Sequence, residues 1–240
     1  MNKHRALRLI LGFAFGFTAV AGGQSVAFGA TPGPLPACAY DDVLTPHRAY
    51  SEWQSTLLDT TLMLGPTYVP PHLVSVAEAG IAGKGHVRAL VIKDLFLMKW
   101  AAFKAGNPLE VVSAYRSYAN QQATFRFWVN ADGYSKALST SARAGHSEHQ
   151  LGTTLDFKSK GGRDPWNVTD WATTRAGAWM KANAWKFGFV MSYPKGARDK
   201  TCYAYEPWHY RYFGRALAAA IHDAGLTTRQ WLWRHGFGVE

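Results

Sequence analysis

Helix-like and strand-like stretches follow one another along this chain without the regular strand–helix–strand alternation that builds a parallel sheet, and this limits the fold more than any other feature. Val87, Leu90, Val91, Leu95, Met98 and Ala102 recur at helical spacing and predict a helix over 87–105, closed by Gly106. Residues 110–115 read as a short strand, 117–129 as a helix carrying Phe125 and Trp128, and 152–157 alternate as a strand. Asp170 is placed to cap a helix over 171–186 that Gly188 ends. Strands over 189–193 and 203–208 bracket a polar turn; an Ala-rich helix covers 212–224, and Thr227 or Thr228 caps a last helix to about Arg234. The predicted class is α+β: a small, largely antiparallel sheet with surrounding helices, in one domain.

The N-terminus defines the compartment. Lys3, Arg5 and Arg8 precede Leu9–Ala21, which is apolar or glycine apart from Thr18, and Ser25 and Ala27 form a small-x-small end. That is the pattern of a secretory signal peptide over residues 1–27, with cleavage after Ala27 or alternatively Ala30. No apolar run reaches the ~20 residues of a spanning helix, so no membrane span is expected after cleavage. The formal charge of +10 falls to +7 once the signal's three cations leave. An exported basic protein meets cell-wall or membrane anions first. No basic stripe interleaved with aromatics is present, so nucleic acid is not expected as a partner. With 48% apolar and 18% charged residues, disorder is excluded.

Two cysteines, Cys38 and Cys202, fit one disulfide in an oxidising compartment. The rival reading takes Leu35-Pro36-Ala37-Cys38 as a lipidation box. Pro36, the distance from the apolar run and an unpaired Cys202 argue against it. The disulfide would tether the segment 28–85 as a linker and cap.

Most of the nine histidines stand alone. Two places differ. Gly145-His146-Ser147-Glu148-His149-Gln150-Leu151-Gly152 leads through a glycine turn into a strand ending at Asp156, and Glu206-Pro207-Trp208-His209 follows about fifty residues later. Hydrolytic zinc takes three N/O protein ligands and keeps a fourth position for water. His149, Asp156 and His209 supply such a set, with a glutamate over for the water's proton. On a regular strand Glu206 and His209 would face opposite ways, so Pro207 has to bend the chain if both serve one site.

Three blocks in order carry a family likeness. Ser113-Ala114-Tyr115-Arg116-Ser117-Tyr118 with Gln121, Ser147-Glu148-His149 through Gly152 to Asp156, and Tyr205-Glu206-Pro207-Trp208-His209-Tyr210-Arg211-Tyr212 with Gly214 resemble the motifs of VanY-type zinc D-alanyl-D-alanine carboxypeptidases. That group also includes D-Ala-D-Ala dipeptidases and the hedgehog-like fold. The likeness spans about Val87–Gly225. Thr154 departs from it, standing where a small apolar residue is usual.

The resemblance implies one Zn2+ per chain on His149, Asp156 and His209, with Glu206 as the base. Arg116 would hold substrate charge, either a terminal carboxylate or the oxyanion, and Gln121 and Ser147 would line its pocket. Trp208 and Tyr193 are placed either in the substrate groove or in the core. Glu148 is read as solvated or as a hydrogen-bond partner of a ligand histidine, and His146 is rejected as a ligand. The expected protein is a monomeric, wall-associated, extracellular or periplasmic peptidase with a catalytic domain over 86–240. Its substrate would be a peptidoglycan stem peptide ending in D-Ala-D-Ala. The alternatives are an endopeptidase, dipeptidase or L,D-carboxypeptidase of the same fold, or a zinc-containing wall-binding module without activity.

Overall fold

The computed structural model describes residues 33–236; the predicted signal peptide and both cleavage positions lie outside them. The first half holds β1 (Val43–Leu44), β2 (Leu62–Met63), β3 (Leu73–Ser75), β4 (Ala82–Gly83), β5 (His86–Arg88), α1 (Ile92–Lys104), β6 (Leu109–Ser113), α2 (Tyr118–Asp132) and α3 (Tyr134–Thr140). The second holds β7 (Thr154–Ser159), α4 (Arg175–Asn183), β8 (Phe189–Met191), α5 (Arg198–Thr201), β9 (His209–Tyr212), α6 (Arg215–Asp223) and α7 (Thr228–Gly236). Five strands make the central sheet in the order β4–β6–β7–β9–β8. Within this sheet only the β4–β6 pair is parallel among the described residues, so the α+β class with a largely antiparallel sheet is what forms.

Strand alternation sorts this sheet into two faces. Leu155 and Phe157 of β7 and Tyr210 of β9 point into the main core, where Leu95, Met98 and Ala102 of α1 and Met180 of α4 meet them. Asp156 and His209 are opposite each other in the β7–β9 register and face the other way, with Arg211 two residues on. The sheet thus places polar, chemistry-bearing side chains on one face by burying apolar ones on the other.

The segment before residue 84 is built into the molecule. Leu57 packs with Phe213, Ile221 and Leu232, and Leu58 and Leu64 pack with Tyr68 and Leu151. Arg229 of α7 donates to Asp59 at 2.6 Å, both side chains buried, and Arg143 donates to Asp42 and to the Thr60 carbonyl. The Cys38–Cys202 disulfide is formed, with Cα atoms 5.3 Å apart.

Four local expectations change. The helix expected from Val87 starts at Ile92, because Val87 pairs with Val74 in the β3–β5 ladder and Ala89–Val91 is a 3-10 turn. The helix expected over 171–186 is split. Asp170 caps only a 3-10 turn at Trp171–Thr173, and Thr174 caps α4 anew by accepting from the Gly177 amide at 3.1 Å. A Cβ on Gly177 would stand 2.0 Å from the Trp171 carbonyl oxygen, so this junction requires glycine. Residues 203–208 form no strand. The Glu206 amide bonds to the Tyr193 carbonyl and the His209 amide to the Glu206 carbonyl, so β9 opens only at His209 and α6 starts at Arg215. The fourth change is α3, which follows directly on the break at Gly133 and has no counterpart in the predicted elements.

Candidate active site

A 3-10 turn over Glu148–Leu151 delivers His149. The Ser147 hydroxyl caps it by accepting from the His149 amide at 3.3 Å, and Gly152 closes it in the left-handed region at φ 70°. A Cβ on Gly152 would meet Pro70, Arg88 and Leu73 side chains at 3.0 to 3.1 Å. His149 Nδ1 donates to the Ala114 carbonyl at 2.7 Å, which leaves Nε2 with its lone pair facing Asp156. His209 uses its other nitrogen: Nε2 donates to Glu148 at 2.9 Å, so in the neutral ring Nδ1 is the open atom.

His149 Nε2 lies 3.2 Å from Asp156 Oδ2, and His209 Nδ1 lies 3.3 Å from Asp156 Oδ1. One ligand atom from each of the three falls within 4.8 Å of the others, and all three residues are buried. Two imidazole nitrogens and one carboxylate oxygen form a donor set suited to zinc. The fit is tested by Asp156 Oδ1, which is buried without a hydrogen-bond partner among the described residues. A cation there would satisfy it. The residues therefore fit the metal that the sequence implies.

Charge is strongly coupled at this point. Burial raises Glu206 to about 7, opposed by the His209 charge and reinforced by Asp156. Burial would also raise Asp156, yet His149 and His209 hold it far below the ordinary carboxylate range. His209 would be lowered by burial, but the carboxylates of Asp156 and Glu148 beside its ring lift it to about 10. For His149 burial prevails and its pKa falls.

Glu206 reaches the cluster because the chain turns at Pro207: its Oε2 lies 3.5 Å from His209 Nδ1. Arg116 borders the cluster from the end of β6, with Nη2 3.9 Å from Asp156 Oδ2. Its guanidinium is held by Ser113 Oγ and Gln121 Oε1, each at 2.8 Å. Gln121 is buried, and its amide nitrogen donates to the Ala142 carbonyl, so it orients Arg116. Ser147 is likewise buried and engaged as the cap of the His149 turn. Trp208 packs edge-on against Trp166 and onto the main core. Tyr193 is the aromatic beside the site, its ring centroid 4.7 Å from that of His209.

Glu148 is buried and not solvated. It accepts from His209 Nε2, from Ser192 Oγ at 2.5 Å and from Arg211 Nη1 at 3.1 Å. His146 is buried away from the cluster, bonded to the Asp59 carbonyl and Asp42. Ser192 and Arg211 were not singled out from the sequence. Arg211 was findable, because strand spacing puts it on the same face as His209; Ser192, which reaches Glu148 across the β8–β9 edge, left no such signal.

Residues 84–215, more than half of the chain, match the VanY family, described as D-alanyl-D-alanine carboxypeptidase. The chain is 39% identical over 148 residues to YodJ of Bacillus subtilis, a carboxypeptidase by provisional name, covering 62% of this chain and 54% of that protein. It spans about half the length of the curated relatives it matches. Among solved structures, the LdcB LD-carboxypeptidase superposes with a TM-score of 0.66 at 34% identity, over 74% of this chain and 85% of the other. A mutant of the vancomycin-resistance D,D-pentapeptidase VanY, in complex with Zn(II), superposes with a TM-score of 0.63 at 26% identity, over 75% and 99%.

Proposed function

Because the chain belongs to the VanY family of D-alanyl-D-alanine carboxypeptidases, we propose that it removes the terminal D-alanine from peptidoglycan stem peptides, using zinc held by His149, Asp156 and His209. The carrying observation is the convergence of those three buried ligand atoms within 4.8 Å, with Glu206 beside them. When bound, Zn2+ supplies a water of lowered pKa and polarises the scissile carbonyl.

Glu206 takes a proton from the attacking water on its carboxylate and returns it to the departing amine nitrogen. Its pKa of about 7 in the metal-free site suits a group that accepts and then gives back a proton near neutrality. Arg116 presents a guanidinium fork, pre-set by Ser113 and Gln121, to a terminal carboxylate or to the developing oxyanion. Gln121 and Ser147 act on the substrate through Arg116 and the His149 turn, Tyr193 flanks His209, and Trp208 packs onto the main core. Export by the N-terminal signal, a monomeric state, and a disulfide-tethered segment 28–85 capping a catalytic region 86–240 complete the reading.

The test offers zinc-loaded protein a pentapeptide ending in D-Ala-D-Ala. Release of one D-alanine, stopped by a chelator and restored by zinc, is the expected result; no release by zinc-bound protein overturns the reading. The likeness to LdcB favours a second substrate, a tetrapeptide cut at its L,D bond. Turnover of that peptide alone would move the assignment to an L,D-carboxypeptidase.

Metal uptake should also release a proton. His209 sits at about 10 without metal, so at neutral pH its Nδ1 carries a proton that a cation must displace. Zinc affinity should therefore rise as pH rises toward that value. Calorimetric heats at pH 7 should differ between buffers of different ionisation enthalpy by at least one proton per site, one from His209 and a further fraction from Glu206. Equal heats in all buffers would contradict this.

A further inference from the structure

Helix α1 carries a face that no described element covers. Leu95, Met98 and Ala102 bury its inner side. On the outer side Phe96, Trp100 and Phe103 stand at i, i+4 and i+7 and are 46%, 47% and 54% exposed. Trp100 and Phe103 stack with ring centroids 5.6 Å apart, and Phe96 stands one turn before Trp100 on the same side. A single exposed aromatic is ordinary, whereas three in one stripe mark an interaction surface.

The charged side chains of α1 beside the stripe are lysines. Lys99 Nζ lies 5.6 Å from the Phe96 ring centroid, Lys104 Nζ lies 5.7 Å from that of Trp100, and Lys93 is exposed one turn earlier. None of these lysines forms an ion pair among the described residues. Asp94, the only acid of α1, turns away to Tyr212 and Arg215. Arg175 adds a cation at the helix's C-terminal end, its guanidinium 3.2 Å from where a Cβ on Gly106 would stand.

We infer that this face docks the protein on an anionic bilayer surface, with the aromatic rings at the headgroup–acyl boundary and the lysines on the headgroups. The charge pattern selects this occupant. A second copy meeting the same face would set lysine against lysine in a chain whose formal charge is +10, or +7 without the signal's three cations. An anionic wall polymer would satisfy the lysines and leave three rings in water. A bilayer offers anions and an apolar layer at the depths that lysine stems and aromatic rings reach. The inner side of α1 packs on the sheet face that carries Leu155 and Phe157, opposite Asp156 and His209. A molecule resting on α1 therefore directs its candidate cleft away from the lipid.

The test sediments the full chain, as recovered after export, with phosphatidylcholine vesicles containing about one-third phosphatidylglycerol and with pure phosphatidylcholine vesicles. Wild type should sediment with the anionic vesicles, less with the neutral ones, and less again as salt rises. F96S/W100S/F103S and the charge reversal K93E/K99E/K104E should each lower binding about tenfold or more, with peptide hydrolysis in solution unchanged. The charge-reversal variant leaves every buried residue in place, so it remains informative if the aromatic variant folds poorly. Absence of vesicle binding by wild type, or binding by the charge-reversal variant equal to wild type, overturns the inference. So does a concentration-dependent dimer that the same substitutions dissolve without any vesicle binding, because a second copy would then be the occupant.

Discussion

Glu206→Gln should leave the fold and zinc content intact and lower kcat by about 10²–10⁴-fold. Glutamine keeps the size and one hydrogen-bond acceptor of the side chain but cannot take a proton, so the variant removes one chemical act and little else. Glu206 lies 3.5 Å from His209 Nδ1 without being one of the three convergent ligand atoms, which is why metal binding should survive. KM should move far less than kcat, since Arg116 and its supports are untouched. The wild-type pH profile should lose activity on its acid side as Glu206 becomes protonated. That group stands at about 7 in the metal-free site, and a bound dication lowers it, so the limb should lie below 7 and disappear in the variant. Single-turnover assays on equally zinc-loaded wild type and variant check this. Equal turnover would remove Glu206 from the mechanism, and loss of zinc in the variant would reassign it as a ligand.

The convergence of His149, Asp156 and His209 was readable because two signals agreed: donor types suited to zinc, and three ordered blocks that resemble one family. The sheet's sense was readable as well, since short strands without crossover helices leave mostly antiparallel pairing. Boundaries were less legible where backbone bonds overrode propensity. Val87 is apolar and fits helical spacing, but its amide and carbonyl sit in a ladder with Val74. Residues 203–208 look strand-like, yet Pro207 donates no amide and the Glu206 carbonyl accepts the His209 amide within a turn. That same turn resolves the facing problem between Glu206 and His209. The role of Glu148 was open because its partners are Ser192, just past β8, and residues of β9, more than forty residues away in sequence. Nothing local distinguishes a solvated glutamate from one enclosed by distant strands.

Glu148 carries the other large expectation. Arg211 is fully buried: Nη1 donates to Glu148 at 3.1 Å, and Nη2 donates to the Trp53 and Thr56 carbonyls at 2.7 and 2.8 Å. Glu148→Gln strips this guanidinium of its counter-ion and should cost about 3–5 kcal/mol in denaturant unfolding. Acid should do the same to wild type. Burial would raise Glu148, but the hydrogen bond from His209 and the Arg211 charge outweigh it and hold the group at about 2. A depressed folded pKa contributes stability that is complete above the unfolded value of 4.5 and is lost as pH falls toward 2. That loss amounts to roughly 3 kcal/mol in wild type, and Glu148→Gln should lack this part of the pH dependence. Pairing Glu148→Leu with Arg211→Met replaces the ion pair by apolar volume and should restore much of the stability. It should not restore the metal site, because His209 Nε2 loses the acceptor that orients the ring, and zinc affinity should stay about 10–100-fold weaker. A double variant that recovers both stability and zinc affinity would show that Glu148 only balances a buried charge. Recovery of stability alone would give it a second task, holding His209 with Nδ1 toward the metal.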